Sequence, residues 1–469
     1  MLKIDNNKVF ILLPDGIGLR NFAFTKFPEL AAEKELDITY WNNTPFDLQA
    51  MGYPEYKITG AKPHTLTDFF KRARKQIELN QSIKKSGDPV YARYRFAYSY
   101  RNLRVSVKSH SVNLLINIFD SKRGLRFVRS TIKKLERSTA YYKQSIETLQ
   151  KEKPAMVFCT NQRPMSAIAP MVAAQDLGIP TAAFIFSWDN LPKATMIIEA
   201  DYYFVWSEHM KKELLYYYSY INENQVFVTG TPQFESHFDK SLLVSKEAFF
   251  SEYDLDLETK YICYSGDDVT TSPNDPQYLS DTANAVRKLN KKGQKLGIVF
   301  RRCPVDFSNR FDGVLEKNKD IIVPIAPKWE RLGEKWNSVL PTKSDLALQM
   351  NTIAHTEFVL NLGSSMVFDF VTFGKPCIYL NYDIADCPIP NWTVSKIYNY
   401  IHFRSMPDED AVIWIKSPDE MESKIENLLK NNTITLQKAQ SWFEKINQHP
   451  VTNASSRVLD SIKSIIAKP

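Results

Sequence analysis

The sequence predicts two doubly wound α/β domains, and three observations lead there. The chain has 469 residues, two to three times the usual domain size, so two cores are expected rather than one. Short apolar, β-branched or aromatic runs alternate with stretches of helical periodicity, which implies right-handed βαβ units around a parallel sheet. After residue 250 the alternation starts again, so each half is expected to build its own sheet.

The elements follow in order. Residues 8–13 form the first apolar run and 37–41 the second, with a helix-like stretch between them. Runs at 155–159, 181–186, 202–206 and 226–229 continue the first half, rich in the side chains that suit a covered strand. The second half has candidates at 261–264, 297–301, 321–323, 358–362 and 377–380. This gives a first domain over 1–245 and a second over 246–450. A closing amphipathic helix within 451–469 is expected to pack back towards the first domain.

A mostly helical insert over about 65–150 has a different character. From 71 to 143 there are 19 Lys or Arg against 4 Asp or Glu, a local net of +15 in a chain whose total is +7. Apolar groups interleave with this charge: Tyr94, Phe96, Tyr98 and Tyr100, then Leu114, Leu115, Ile116 and Phe119 before Lys122 and Arg123. Such a stretch is either a solvated helical elaboration or a surface for an anionic membrane or lipid-linked acceptor. Neither an RNA-recognition signature nor another nucleic-acid module is visible, so nucleic acid is not an expected partner.

Composition narrows the class further. With 43% hydrophobic, 24% charged and 13% aromatic residues, a disordered or low-complexity chain is excluded. No run approaches the ~20 apolar residues of a membrane span, and the opening residues lack the apolar core of a signal peptide. Five cysteines without CxxC spacing and seven scattered histidines suit reduced thiols and no locally built metal site. The expectation is a cytoplasmic protein, peripheral at the inner face of the membrane through residues 71–143.

Glycine is scarce, with 15 in the chain, yet Gly16, Gly18, Gly230, Gly266 and Gly363 all close predicted strands. Ligands of open α/β sheets bind beyond the carboxyl strand ends, so one ligand cleft between two facing domains is expected. The strongest element runs from Gly363-Ser364-Ser365 through Asp369 to Gly374-Lys375-Pro376: a turn, a Ser cap, a short apolar helix and stop signals. Free amides and the positive helix end at Ser364 and Ser365 suit a phosphate, and Asp369 one turn on suits ribose hydroxyls. The plain alternative is a cap and a dipole partner. Arg301 and Arg302 end another strand on opposite faces, one placed to fork onto a diphosphate and the other to pair with a surface carboxylate. Gly266-Asp267-Asp268 either binds a nucleotide or turns the chain.

Four motifs together carry a family resemblance: Phe186-Ser187-Trp188-Asp189-Asn190-Leu191, Val205-Trp206-Ser207-Glu208, Val228-Thr229-Gly230-Thr231-Pro232-Gln233-Phe234, and Gly363-Ser364-Ser365 through Gly374-Lys375-Pro376. In this combination the chain resembles bacterial GT-B glycosyltransferases of the UDP-glycosyltransferase/glycogen phosphorylase-like superfamily. The resemblance covers about 155–400 and the opening Leu13-Pro14-Asp15-Gly16-Ile17-Gly18-Leu19-Arg20-Asn21. Related architectures include the non-hydrolysing UDP-N-acetylglucosamine 2-epimerases and the CDP-glycerol polyol-phosphate transferases. In that wider group a His often precedes the Pro where this chain has Cys303, which counts against readings that need an imidazole there.

The resemblance implies a GT-B fold whose C-terminal domain binds a nucleotide diphosphate sugar, the donor substrate, with no cofactor or metal. The implied donor residues are Gly230, Thr231, Gly266, Asp267, Arg301, Arg302, Gly363, Ser364, Ser365 and Asp369. The N-terminal domain would bind a cell-surface glycan or lipid-linked acceptor through Gly16, Gly18, Arg20, Asn21, Trp188 and Asn190. An inverting transfer needs a base for the acceptor proton, and Asp15 or Asp189 would supply it. Polyol-phosphate transfer, epimerisation and a catalytically idle binding protein of the same fold are the alternatives.

Overall fold

The computed structural model describes residues 7–96, 102–332 and 339–467, so Tyr98 and Tyr100 lie outside the described residues. The chain packs as two compact units, Met1–Pro232 with Ile446–Pro469, and Gln233–Lys445.

The first unit is built on a seven-stranded, wholly parallel sheet of β1 (Lys8–Leu13), β2 (Asp37–Asn42), β3 (Glu55–Lys57), β4 (Met156–Cys159), β5 (Thr181–Phe184), β6 (Tyr202–Val205) and β7 (Val226–Val228). The spatial order is β3-β2-β1-β4-β5-β6-β7. Val9 to Leu13 and all of β4 and β5 are buried, as strands covered on both faces must be. In register, Val9 lies between Ile38 of β2 and Met156 of β4. The order therefore reverses at β1, whose two neighbours, β2 and β4, both follow it in the chain and lie on opposite sides of it.

Four helices form the insert between β3 and β4: Thr67–Ser86, Leu103–Phe119, Lys122–Arg137 and Ala140–Glu152. Their starts and stops are chemically marked. Ser121 and Thr139 accept from the Gly124 and Tyr142 amides as N-caps, and Gly87 in the left-handed region ends the first helix. The insert is held to the sheet by charge. Glu199, just before β6, accepts from Arg129 Nε and Nη2 at 2.5 and 2.9 Å, with Arg74 Nη1 at 3.2 Å and Lys133 Nζ at 3.3 Å. Arg74 also bonds Glu78 at 2.8 Å and Tyr220, and Arg129 lies over the Tyr220 ring. Burial opposes the Glu199 charge, but the Arg129 bond and the Arg74, Arg129 and Lys133 charges outweigh it and hold its carboxyl down at about 2.

The final helix, Ala454–Ile466, belongs to the first unit. Lys34 pairs with Asp460 at 2.6 Å, and Arg457 Nε donates to the Thr229 carbonyl at 2.7 Å, which ties this helix to the end of β7.

The second unit repeats the plan with six parallel strands, β8 (Lys260–Ser265), β9 (Leu296–Arg301), β10 (Ile322–Ile325), β13 (Val359–Asn361), β14 (Cys377–Leu380) and β15 (Ile413–Ile415). A separate antiparallel pair is formed by β11 (Glu330–Arg331) and β12 (Val339–Leu340). The main order is β10-β9-β8-β13-β14-β15, reversing at β8 as the first sheet reverses at β1. The sequence did not anticipate β3, β11, β12 or β15. Each has two or three residues, too few to carry a periodicity, and forms by pairing with a neighbour already in place.

Removing one partner from a buried ionic group leaves the others uncompensated and costs roughly 3–5 kcal/mol. Glu199→Gln should therefore lower the unfolding free energy by an amount in that range, read as a lower urea midpoint with the slope unchanged. The Glu199 pKa is depressed, so its contribution is present above the unfolded carboxylate value near 4.3. That contribution is lost as pH falls towards about 2. Wild type and Glu199→Gln should accordingly converge in stability in that acid range.

Candidate functional site

In the first unit the loops after β1 and β4 leave the sheet at its reversal point, where open α/β sheets take ligands. Asp15 stands at the end of β1, 5% exposed. Its Oδ1 accepts from the Ile17 amide at 3.1 Å and its Oδ2 from Asn161 Nδ2 at 2.7 Å. Burial pushes its carboxyl up to about 6, against the Ile17 and Asn161 bonds and the Arg163 charge, which favour ionisation. Asn161 Oδ1 accepts from the Arg163 amide at 3.1 Å, so one side chain braces both loops.

Gly16 caps the short helix Ile17–Phe22, which carries Gly18, Arg20 and Asn21. A Cβ on Gly18 would overlap Thr160 Oγ1 and come within 2.7 Å of Leu13, so only glycine lets this helix lie against the end of β4. Asn21 is buried, and its carbonyl accepts from Thr25.

Asp189, the second candidate base, is engaged inside its own loop. It accepts from Ser187 Oγ at 2.5 Å and Asn190 Nδ2 at 2.7 Å, and it is ion-paired with Lys193. Trp188 and Asn190 are buried, and Thr195 Oγ1 donates to the Asn190 carbonyl at 3.1 Å. The expected acceptor loop is thus largely a self-bonded structure.

Gly230 and Thr231 fall in the first unit, and the other expected donor residues in the second. A Cβ on Gly230 would sit 2.9 Å from Arg457 Nη2, and the Thr231 amide donates to Asn447 Oδ1 at 3.0 Å. Both are covered by the returning C-terminal segment, which explains them as packing residues.

In the second unit the matching reversal lies between β8 and β13. Gly266 and Asp267 follow β8. The Asp267 amide donates to Asp275 Oδ2 at 2.7 Å, and the Asp267 carbonyl accepts from Arg310 Nη2 at 2.5 Å. Burial, then the charges of Asp275 and Asp268, push the Asp267 carboxyl up to about 8. It is therefore mostly protonated at neutral pH. Gly363 follows β13 with φ +70°, a conformation other residues rarely adopt, and a Cβ there would press on Phe403, Ile397 and Tyr398.

Four sequence expectations change here. The N-cap of helix Met366–Val371 is Ser365 rather than Ser364, although the hydroxyl that accepts at the helix start is that of Ser364, from the Met366 amide at 3.4 Å. The Ser364 amide is not free, because it donates to Asn361 Oδ1 at 2.9 Å. Arg301, expected to reach a diphosphate, is buried and donates to both oxygens of Asp345 at 2.9 Å. Asp369, expected to meet ribose, is buried and bonded to His237 Nε2 at 2.9 Å and Gln349 Nε2 at 3.2 Å. Both are ionic groups that burial obliges to find partners within the fold. Arg302 stays nearer the surface, donating to the Ser308 carbonyl at 3.0 Å, with Asp312 3.8 Å away.

Sequence reasoning passed over Asn161, Arg163, Asp275 and Asp345. For the first two a signal existed, since Thr160-Asn161-Gln162-Arg163 is a polar run immediately after an apolar strand. Asp275 and Asp345 act through contacts far apart in sequence. A polar pocket of about 370 Å³ lined by Arg129, Lys133, Glu199, Asp201 and Gln225 lies at the amino ends of β6 and β7, the end of the sheet opposite the reversal-point loops. Its walls are the ionic group that anchors the insert.

No protein-family model and no curated protein sequence matches the chain. Solved structures do share its fold over nearly the whole length. A Listeria monocytogenes protein described as a UDP-N-acetylglucosamine 2-epimerase is 12% identical with a TM-score of 0.54, covering 98% of this chain and 96% of that one. Staphylococcus aureus MnaA with UDP is 14% identical with a TM-score of 0.51, again covering 98% and 96%. A glycosyltransferase from Rickettsia africae is 11% identical with a TM-score of 0.49, covering 99% and 100%. What the first two likenesses establish is the fold: two parallel Rossmann-like sheets in a GT-B-like architecture.

Proposed function

We propose that the chain is a glycosyltransferase that takes a sugar from a nucleotide diphosphate sugar. The second unit binds the donor at the loops after β8 and β13, using Gly266, Asp267, Gly363 and the Ser364 and Ser365 hydroxyls, with Arg302 beyond β9. The first unit binds the acceptor. The observation that carries the reading is Asp15, a buried carboxylate at the sheet reversal, oriented by Asn161 and lifted to about 6. A carboxylate in that range is mostly ionised at neutral pH and a stronger base than an ordinary aspartate, as removal of an acceptor hydroxyl proton requires. The Asp189 carboxylate, already engaged by Ser187, Asn190 and Lys193, is the less available base.

The insert supports a lipid-linked acceptor. Helix Leu103–Phe119 leaves Leu103, Val107, Leu114 and Ile118 more than half exposed along one face, and Phe127 stacks on Phe119. Lys122, Arg123 and Arg126 are exposed beside them. Apolar side chains rimmed by cations suit adsorption to an anionic bilayer. Among the described residues no helix is long and apolar enough to cross a membrane.

A second reading, a nucleotide-sugar 2-epimerase, is favoured by the fold shared with the L. monocytogenes protein. Against it stands Cys303, whose thiol burial pushes up to about 12, out of range for the proton exchange an imidazole would provide. The two readings separate by one experiment, incubation of the chain with UDP, GDP, CDP and TDP sugars, and with CDP-glycerol, with and without a lipid-linked acceptor. Transfer releases the nucleoside diphosphate only with acceptor. Epimerisation yields an isomeric sugar without one, and release of CMP marks polyol-phosphate transfer.

Asp15→Asn should lower turnover ~10²-fold or more at nearly unchanged donor affinity. It should also stabilise the fold. A raised carboxylate pKa means that the Asp15 contribution is fully present below its unfolded value near 3.9 and is lost as pH rises through about 6. At pH 7 the ionised side chain costs roughly 2–3 kcal/mol at 1.36 kcal/mol per pKa unit. Asn avoids much of that, so its melting temperature should exceed wild type at pH 7 and match it near pH 4.

The adsorbing face is checked by flotation. Wild type should float with anionic vesicles at low salt and be released at about 0.5 M salt, where screening is within a few Å. Leu114→Glu/Ile118→Glu should not float under either condition.

A further inference from the structure

Most cations that anchor the insert have anionic partners, and three near the loop after β4 do not. Arg74, Arg129, Lys133 and Arg137 meet Glu78, Glu199 or Asp176. Lys71 and Lys75 lie one turn apart near the start of Thr67–Ser86, Arg163 in the loop after β4 and Lys193 in the loop after β5. Lys193 is paired with Asp189. Lys71, Lys75 and Arg163 have no carboxylate within ion-pair distance among the described residues, although all three are partly buried. Asp68, whose charge acts on Lys71, is already bonded to Arg72 at 3.0 Å and Lys108 at 2.8 Å.

Aromatic faces hold these cations in place. Lys75 Nζ lies 4.2 Å from the Phe96 ring centre and the Arg163 guanidinium 5.3 Å from that of Phe186. They are also close enough to repel one another. Burial first, then the charges of Arg163, Lys193 and Lys71, bring Lys75 down to about 8. Arg74 of the same helix donates to the Ile197 carbonyl at 3.2 Å, and the Ile197 amide to the Gln162 carbonyl at 3.0 Å, so the helix that carries the two lysines packs beside the loop of Asn161 and Arg163, whose charge reaches both Lys71 and Asp15. Two ammonium point charges and a guanidinium fork, half-desolvated and uncompensated, match the oxygens of a phosphoryl group.

We propose that Lys71, Lys75 and Arg163, with Lys193 at their edge, bind a phosphate or diphosphate, and that the acceptor carries this group near the hydroxyl that Asp15 deprotonates. The assignment to the acceptor rests on the glycosyltransferase reading, whereas the anion site does not.

The test uses the full chain and inorganic pyrophosphate, measured by calorimetry. Affinity should fall tenfold or more in Lys71→Gln/Lys75→Gln and in Arg163→Gln, and persist in Lys71→Arg/Lys75→Arg. At pH 8 binding should draw a proton from the buffer as Lys75 regains it. Absence of pyrophosphate binding, or equal affinity in the folded Gln variants, overturns the site. Should the lysine pair fail to fold, Arg163→Gln alone decides. Flotation separates a bound phosphate from bilayer headgroups: the Gln pair should float on anionic vesicles like wild type. Lost flotation with unchanged pyrophosphate affinity would make the cluster a headgroup contact and refute the proposal. If pyrophosphate binds as expected while no nucleotide sugar is turned over, the anion site stands and its assignment to an acceptor falls with the glycosyltransferase reading.

Discussion

The constraint on which the rest of this structure depends is the reversal of strand order at β1 and at β8. Each of these strands is first in its sheet by sequence and central by position, so successive crossovers first build outwards on one side and then on the other. The loops after β1 and β4, and those after β8 and β13, consequently diverge and leave the backbone ends of two adjacent strands uncovered. Asp15 and Asn161 meet across the first reversal, and Gly266 and Gly363 flank the second. Two unrelated stretches of sequence arrive at the same geometry because parallel strands with right-handed connections have few other ways to cover both faces of a sheet.

Charge is the second organising quantity. The insert is strongly basic as a string of residues, but the fold divides that charge into two populations. Arg74, Arg129, Lys133 and Arg137 are drawn onto Glu78, Glu199 and Asp176 and become structural, with Tyr220 completing the contact. Lys71, Lys75, Lys122, Arg123 and Arg126 stay available, two of them facing the loops of the first unit and three beside an exposed apolar stripe. Net charge alone gives the sum of these populations and says nothing about their division.

The same logic explains the second unit. Arg301 and Asp369 have the residue types of a nucleotide site, yet both end in buried pairs, with Asp345 and His237. A charge removed from water is stable only against a close partner, so a buried ionic side chain near a ligand loop is as well suited to shaping that loop as to touching the ligand. Asp267 takes the opposite course and stays mostly protonated near neutrality, since burial disfavours its charge and Asp275 and Asp268 beside it make a further negative charge unfavourable.

What the sequence determined by itself was the periodic part. Long apolar runs such as 8–13 and 377–380, and the alternation that restarts after 250, specify covered parallel strands because burial on both faces leaves no other composition workable. The glycines at strand ends were legible for the same reason, and Gly18 and Gly363 are where backbone and neighbour leave no room for a Cβ. Asp15 could be placed from its position after β1. Its partner Asn161, 146 residues away, could not, nor could the pairing of Arg301 with Asp345 or Asp369 with His237. Those choices belong to tertiary structure, because whether a polar side chain is bonded or open, and where its pKa lies, depends on burial and on neighbours that only the folded chain brings within 3 Å.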